Sequence, residues 1–355
     1  MIDSQAIDIQ PTANSRIQEL DENNIPFGAL YSDHMFLVDY YDGAWQDARI
    51  VPYQKISLSP ANATLHYAIT VFEGMKAYKN PEGEVIAFRP EANAERLNIS
   101  GERMCIPEVP QELFMEGLTQ LLKLDSAWVP SAANTALYIR PFVFATDEYI
   151  GIRPPSKFRF MIITCPVGAY YGKPVSVKIE TEYSRAFPGG TGYAKAGGNY
   201  GASLYPALQA QKKGFDQLIW TDGKNHEYIE ESGTMNVMFK IDDVLLTAPT
   251  SGTILKGITR DSVLKITRDW GIQVEERPVE VAEIVKAARE GRIQEAFGVG
   301  TAATIAPIAK IGFEDEVFEL PNPENGELAQ NILRELNNIR YGLIEDRYGW
   351  TYRID

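Results

Sequence analysis

Segments typical of strands alternate with segments typical of helices along most of this chain. Ala136–Thr146 and Phe158–Val167 are rich in β-branched and aromatic residues, which is typical of buried strands. In Pro110–Leu124 the apolar side chains recur at helical spacing, and Pro90–Ser100 also has helical character. Such alternation predicts a layered α/β or α+β fold, and periodicity does not separate these two classes.

The loop G-A-Y-Y-G-K-P at 168–174 is a natural domain boundary. A chain of 355 residues suggests about two domains. We therefore expect domains at 1–167 and 175–355, joined by that loop. In the first, short strands are expected over Phe27–Ile50. In the second, the pattern predicts a strand at Val175–Ile179 and helices at Ser203–Lys213, Thr259–Trp270 and Glu280–Glu290.

Charge and cysteine content narrow the function classes. The net charge of −14 disfavours nucleic acids and anionic membranes as partners. Cys105 and Cys165 form no CxxC and are too few for a disulfide framework, which indicates a reducing compartment. The first 24 residues are polar and acidic, and the longest nearly apolar run is shorter than the ~20 residues of a membrane helix. These features predict a soluble cytoplasmic protein.

Several common sites are absent from the sequence. His34, His66 and His226 are scattered singly, so no His-based metal site is expected. The P-loop pattern does not occur. Gly298–Ala303 fits the dinucleotide-binding spacing, but the β-branched segment that follows it contains Pro307 and disfavours the required helix. We therefore reject a Rossmann site.

Lys195 lies in the glycine-dense stretch T-G-Y-A-K-A-G-G-N-Y-G, where the backbone can approach a ligand closely. Most lysines are surface charges, and that alternative stays open for this residue taken by itself. A lysine on a flexible stem can also form a Schiff base once its amine is neutral. The surrounding glycines make such a role possible.

A carboxylate and two turns able to bind phosphate follow Lys195 along the chain. Glu231 precedes a strand and suits an anion beside a pyridine nitrogen, although solvated or capping carboxylates are commoner. Gly257 and Thr259 open a helix whose first N–H groups could bind phosphate, or form an ordinary cap. Thr301, in the G-V-G-T-A-A turn, could add donors. Arg89 could pair with phosphate or form a surface ion pair.

Five segments in this order resemble the branched-chain aminotransferases, which are fold-type IV pyridoxal-phosphate enzymes. The segments are F-E-G-M-K-A (72–77), L-Y-I-R-P (137–141), K-A-G-G-N-Y (195–200), E-S-G-T-M-N (231–236) and G-V-G-T-A (298–302). The resemblance runs from about Phe27 to Tyr348. It implies an α+β (mixed α/β) fold with a smaller N-terminal domain and a larger C-terminal pseudo-barrel domain. It also implies pyridoxal 5'-phosphate as cofactor, no metal, and a homodimer.

The resemblance assigns two sets of residues. Those expected to bind the cofactor are Arg89, Lys195, Tyr200, Glu231, Ile258, Thr259 and Thr301. Those expected to bind substrate are Phe27, Tyr67, Phe72, Tyr138, Arg140, Tyr170, Thr234 and Ala302. Lys195 would carry the Schiff base and shuttle the proton, Tyr200 would bind the phenolic oxygen, and Glu231 would pair with the pyridinium. The backbone of Ile258 would contact phosphate.

The remaining implied roles concern substrates and assembly. Arg140 would bind the side-chain carboxylate of glutamate and the backbone of Ala302 the α-carboxylate, while Tyr67 would enter the site of the partner subunit. The implied reaction is ping-pong amino transfer from leucine, isoleucine or valine to 2-oxoglutarate. Animal members carry a redox CxxC where this chain has Ala303 and Ala306, so thiol regulation by that route is not expected.

Three other functions are the rivals. A D-amino acid aminotransferase and an aminodeoxychorismate lyase would share Lys195 and Glu231. The aromatic pocket set and F-E-G-M-K-A favour the branched-chain type over both. A non-catalytic protein that kept the fold is the third rival, and the intact Lys195, Tyr200 and Glu231 argue against it.

Overall fold

The computed structural model describes residues 6–168 and 173–354, which divide into two compact units. The first comprises residues 6–168, 194–197 and 338–354, and the second residues 173–193 and 198–337. The expected interdomain loop lies mostly outside the described residues, and so does Tyr170. Two segments expected in the second domain, 194–197 and 338–354, belong to the first unit, so the first unit holds more residues than the second.

Nineteen strands and seven α-helices lie within the described residues. The strands are β1 (Asp8–Ile9), β2 (His34–Tyr41), β3 (Ala44–Pro52), β4 (Thr70–Phe72), β5 (Met75–Lys79), β6 (Val85–Phe88), β7 (Ala136–Ala145), β8 (Phe158–Val167), β9 (Val175–Ile179), β10 (Gln217–Thr221), β11 (Tyr228–Ser232), β12 (Met235–Ile241), β13 (Val244–Thr247), β14 (Val274–Glu276), β15 (Val279–Glu280), β16 (Ile293–Gly300), β17 (Thr304–Phe313), β18 (Glu316–Glu319) and β19 (Thr351–Ile354). The helices are α1 (Ala63–Tyr67), α2 (Pro90–Arg103), α3 (Gln111–Leu124), α4 (Gly197–Lys212), α5 (Ile258–Asp269), α6 (Val281–Arg289) and α7 (Glu327–Arg340).

The first unit contains a sheet in the order β1-β3-β2-β8-β7-β5-β6-β19, with β4 paired to β7. Phe36 and Phe160 from this sheet pack with Phe114, Leu118 and other buried residues into one hydrophobic core. Burial of such apolar surface is the main force holding helix on sheet. The returning strand β19 pairs with β6, which is why residues 338–354 belong to this unit.

The sheet of the second unit closes on itself. Strands β12, β16, β17, β9, β10 and β11 pair in turn, and β11 also pairs with β12. The ring leaves no unpaired edge between these six strands. Its buried residues include Val177, Ile219, Phe239 and Ile308. This closed arrangement agrees with the expected barrel-like C-terminal domain, and helices with sheets in both units make the fold α+β.

Most predicted elements are confirmed, and the largest difference is at α4. The strands expected at Ala136–Thr146 and Phe158–Val167 are β7 and β8, and the expected helices correspond to α2 to α6. Helix α4 starts at Gly197 rather than Ser203 because its first turn is built from glycines, which have low helix propensity and do not show the helical pattern.

The part of the chain that the structure describes contains no helix long and apolar enough to cross a bilayer. The same residues contain no group of three or more His, Cys, Asp or Glu side chains that could hold a metal ion.

Candidate functional site

Lys195 is held by its backbone in the first unit. Its N–H donates to the Ser100 hydroxyl (3.0 Å), and its carbonyl accepts from the N–H of Phe72 (3.1 Å). The next residue, Ala196, forms a β-bridge with Val71. The Lys195 side chain is half-buried, and its Nζ lies 4.6 Å from the centroid of the Phe72 ring. The lysine therefore projects from a strand-like segment against an aromatic face.

Gly197 explains part of the glycine pattern. A Cβ at this position would lie 2.7 Å from Cγ2 of Thr70, which is closer than real contacts allow. The segment that carries Lys195 can therefore approach β4 only with glycine here.

A buried ion pair lies close to Lys195, and the sequence does not single it out. Glu73 is fully buried and accepts from Nε and Nη2 of Arg96 (2.7 and 2.8 Å) and from Asn93 (2.7 Å). Burial raises the pKa of Glu73, but Arg96, with a smaller effect from Lys195, outweighs it, so the pKa is lowered overall. The one feature of the sequence that points to this cluster is the i, i+3 spacing of Asn93 and Arg96, which places both side chains on one face of α2.

Four of the expected substrate residues come together in the first unit. The rings of Phe27 and Tyr138 meet edge to face with centroids 5.2 Å apart. The guanidinium of Arg140 lies 4.7 Å from the Phe72 ring and 5.3 Å from the Tyr138 ring, and it donates to the Tyr138 hydroxyl (3.1 Å). Nε of Arg140 is buried without a hydrogen-bond partner among the described residues. The cluster thus combines apolar rings with one cation.

Two other expected residues of the first unit have different surroundings. Arg89 caps α2 with φ of 53°, its N–H donates to the carbonyl of Trp350 (2.7 Å), and its guanidinium lies 5.3 Å from the Trp350 ring. Tyr67 is the last residue of α1 and is half-buried. Arg89 therefore has an aromatic contact within its own unit that the sequence does not predict.

Glu231 is buried on β11 in the second unit. Its Oε1 accepts from the N–H of Leu255 (2.7 Å), and its Oε2 lies 3.2 Å from Nε of Arg185. The neighbouring Glu230 points to the other face of the strand, as alternation requires, and accepts from the Thr253 hydroxyl (2.5 Å). Burial raises the pKa of Glu230. Two adjacent glutamates therefore have different environments, and only Glu231 has an arginine in direct contact.

The start of α5 lies beside β12. The cap residue Gly257 has no side chain to bind the first amides, and a Cβ there would lie 2.0 Å from Oδ1 of Asn236. The amide of Asn236 donates to the carbonyl of Leu255 (3.0 Å). Ile258 and Thr259 follow as the first two residues of a 12-residue helix. Such a helix start favours binding of an anion, because the positive end of the helix dipole and the free N–H groups are both directed toward it.

The turn containing Thr301 and Ala302 is at the same end of this sheet. It joins β16 to β17, and the pairing of Asn236 with Val299 sets it beside the start of β12. Thr234 is exposed in the turn just before β12. Because Glu231 pairs with Asn236 as well, the expected carboxylate and both phosphate turns converge on one end of the barrel.

Tyr200 lies in the first turn of α4 and is half-buried, and its carbonyl accepts from the Ser203 hydroxyl (2.7 Å). The arrangement in the second unit suits a planar heteroaromatic ring that carries a phosphate. Glu231 can pair with a protonated ring nitrogen, while the α5 start and the Thr301 turn can bind the anion. The residues present thus fit the cofactor that the resemblance implies.

Comparisons with known proteins agree with this geometry. Residues 70–311 match the family described as Amino-transferase class IV. Branched-chain-amino-acid aminotransferase 2 of Bacillus subtilis is 44% identical over 354 residues, which cover 99% of this chain and 97% of that protein. A branched-chain-amino-acid aminotransferase of Mycobacterium tuberculosis is 44% identical over 337 residues, covering 92% of each.

Solved structures show the same fold. The branched-chain aminotransferase of Thermoproteus uzoniensis with norvaline superposes with a TM-score of 0.74 at 25% identity, covering 90% of this chain and all of that one. The Escherichia coli branched-chain amino acid aminotransferase gives 0.71 at 25% identity, covering 90% and 99%. With a family match over more than half its length and relatives similar from end to end, this chain belongs to the class IV aminotransferases, among the branched-chain-amino-acid aminotransferases.

Proposed function

We propose that this chain transfers the amino group of L-leucine, L-isoleucine or L-valine to 2-oxoglutarate, using pyridoxal 5'-phosphate. The observation that supports it most is the convergence of Glu231, the α5 start and the Thr301 turn on one end of the barrel. That end presents one acidic group and two anion-binding backbone turns. Relatives more than 40% identical carry the name of this activity.

The chain's own residues would hold the cofactor as follows. Lys195 binds it covalently through the ε-amine, and Glu231 keeps the ring nitrogen protonated. The first amides of α5, at Ile258 and Thr259, and the Thr301 turn hold the phosphate. Tyr200 donates to the phenolic oxygen. Arg89 is proposed as a further phosphate contact.

Proton transfer would fall to Lys195. When bound, the cofactor withdraws electrons from the substrate α-carbon and stores the amino group between the two half-reactions. The ε-amine of Lys195, when neutral, would remove the α-proton of the substrate as a general base. Its backbone is held at both N–H and C=O by Ser100 and Phe72, so the stem starts from a defined point. Such positioning lowers the entropic cost of the transfer.

Substrate selection would rest on the aromatic cluster with its single arginine. Phe27, Phe72 and Tyr138 offer apolar surface, and each buried methylene contributes about 0.8 kcal/mol. Arg140 offers a charge to the side-chain carboxylate of glutamate. Tyr170, Thr234 and the backbone of Ala302 complete the proposed substrate set. A pocket of this type separates substrates that differ by one methylene by ~1–3 kcal/mol, roughly 10- to 200-fold in kcat/KM. Leucine, isoleucine and valine should therefore all react, with differences in kcat/KM that stay within this range.

The Arg140→Met variant should lose glutamate and 2-oxoglutarate selectively. Removing a charged hydrogen-bond partner costs about 1.5–3 kcal/mol, so kcat/KM for these substrates should fall by roughly 10- to 100-fold. The value for leucine should change by less than about threefold, because the aromatic rings remain. Single-turnover rates as a function of substrate concentration give kcat/KM for glutamate, for 2-oxoglutarate and for leucine. Arg159→Met on the neighbouring β8 is the matched control. Equal losses for leucine and glutamate would remove Arg140 from this role.

A coupled assay with L-leucine and 2-oxoglutarate tests the proposed function. D-Alanine and aminodeoxychorismate are run in parallel, because the two rival enzymes of this fold act on such substrates. Turnover of L-leucine with formation of glutamate supports the proposal. Turnover of either other substrate alone would replace it, and a colourless protein without turnover would point to a non-catalytic binding protein.

A homodimer is part of the proposal, and the first unit has a surface that suits it. Leu65, Tyr149, Ile150 and Ile152 are exposed apolar residues, with 96% of Ile152 accessible. Asn62, which caps the helix of Leu65, bridges to Glu148 and so joins these segments. Exposed apolar patches commonly mark protein interfaces. Tyr67 lies at the end of the same short helix, where it could reach a partner's site.

The Ile152→Glu variant should weaken the dimer and lower activity with it. A charge placed in an apolar interface is left without a partner, which costs several kcal/mol. Light scattering gives the molar mass, and activity as a function of protein concentration shows whether the monomer is less active. Val317→Glu, at an exposed apolar residue of β18, is the control. An unchanged dimer in Ile152→Glu would place the interface elsewhere.

The cytoplasmic location also stays a proposal.

A further inference from the structure

Arg185 connects three separate parts of the second unit. Its guanidinium donates to the carbonyl of Gly192 (3.3 Å) and to the carbonyl of Thr253. Its Nε lies 3.2 Å from Oε2 of Glu231. That Nε–H is not aligned as a hydrogen-bond donor, so the contact with Glu231 is one of charge. The side chain is 10% exposed, so this charge is screened little by water.

The segments that meet at Arg185 are those that the proposed function needs. Gly192 is three positions before Lys195 in the chain, and Thr253 is in the loop that leads to the start of α5. A Cβ at Gly192 would lie 2.7 Å from the carbonyl oxygen of Thr253, so the two segments are in close contact. Glu231 is attached to the same loop through the N–H of Leu255.

Arg185 also gives Glu231 a counter-charge that a buried carboxylate requires. An unpaired buried carboxylate is costly and tends to take up a proton. Among the described residues, the other acidic group on this strand that contacts the 251–255 loop is Glu230, whose carboxyl accepts from Thr253 on the opposite face. Arg185 therefore favours one ionised, oriented carboxylate at position 231.

We propose that Arg185 is a positioning residue that holds Glu231 ionised and aimed at the ring nitrogen of the cofactor, a role that rests on the proposed function. An arginine that merely supports the fold would act on stability alone. A positioning residue must act through Glu231, and its effect must depend on that carboxylate.

A double-variant cycle on the holoenzyme separates these roles. The readout is the pH midpoint of the absorbance change of the bound cofactor, measured in wild type, Arg185→Met, Glu231→Gln and the double variant. The absorbance change reports protonation of the Lys195 nitrogen that is bonded to the cofactor. This nitrogen is easier to protonate once the ring nitrogen has lost its positive charge, so the midpoint should rise by more than about half a pH unit in both single variants. In the Glu231→Gln background, Arg185→Met should add almost no further shift.

Two further variants keep the test decisive. Arg185→Lys retains the charge but cannot reach both carbonyls, so its midpoint should lie between wild type and Arg185→Met. It also serves if Arg185→Met does not fold. Arg277→Met removes another glutamate-paired arginine of the same unit and should leave the midpoint unchanged.

Equal shifts from Arg185→Met with and without Glu231, or no shift at all, would overturn the positioning role. Failure of the proposed function has a different signature, since wild type would then show no turnover of L-leucine with 2-oxoglutarate, whatever the pH midpoints of the variants are.

Discussion

Replacing Lys195 by alanine should abolish transamination and covalent attachment of the cofactor. Acid–base catalysis by a positioned side chain is worth ~10²–10⁴-fold, and loss of the nucleophilic amine adds to it, so we expect at least about a 10⁴-fold loss of rate. The half-reaction with L-leucine, followed by absorbance, measures the rate. Borohydride reduction of wild type and peptide mass spectrometry locate the attachment.

The control is Lys178→Ala, which removes a largely buried lysine of β9 that pairs with Glu180. It should retain activity and the reducible label. A labelled peptide that contains another lysine, or turnover by Lys195→Ala, would contradict the assignment. The backbone contacts of Lys195 with Ser100 and Phe72 do not involve its side chain, so the variant is expected to keep its fold.

The Glu231→Gln variant should slow removal of the α-proton far more than it weakens cofactor binding. A neutral amide no longer stabilises a protonated ring nitrogen, and loss of one such electrostatic contact costs ~10²–10³-fold in kcat. The substitution does not alter the proposed phosphate contacts at the α5 start and the Thr301 turn. Rates with α-deuterated leucine report proton removal, and equilibrium dialysis reports binding.

Glu230→Gln is the matched control, because Glu230 is adjacent, also buried and attached to the same loop. Burial raises the pKa of Glu230, and glutamine keeps an oxygen that can accept from the Thr253 hydroxyl. Glu230→Gln should therefore change the rate little. Identical rates in wild type and Glu231→Gln would remove Glu231 from the role.

Local sequence pattern predicts elements well where one signal dominates. The apolar spacing in α3 and the β-branched content of β8 are strong, and both elements are observed as predicted. Helix α4 shows the opposite case, since its glycine-rich first turn has no apolar periodicity and is stabilised only in its folded context.

The sequence by itself determined the family, through five ordered motifs, and the residue types at 195, 231 and 301 that the proposed chemistry requires. The tertiary structure decided which residues surround them. Strand pairing brings Glu231, Asn236 and Val299 to one end of the barrel, and the fold places Arg185 against Glu231 and Arg96 against Glu73. These partners are 5 to 63 positions apart along the chain, and the two charge pairs span 46 and 23 positions. Single-sequence patterns carry only short-range periodicity, whereas such charge pairs arise from long-range packing.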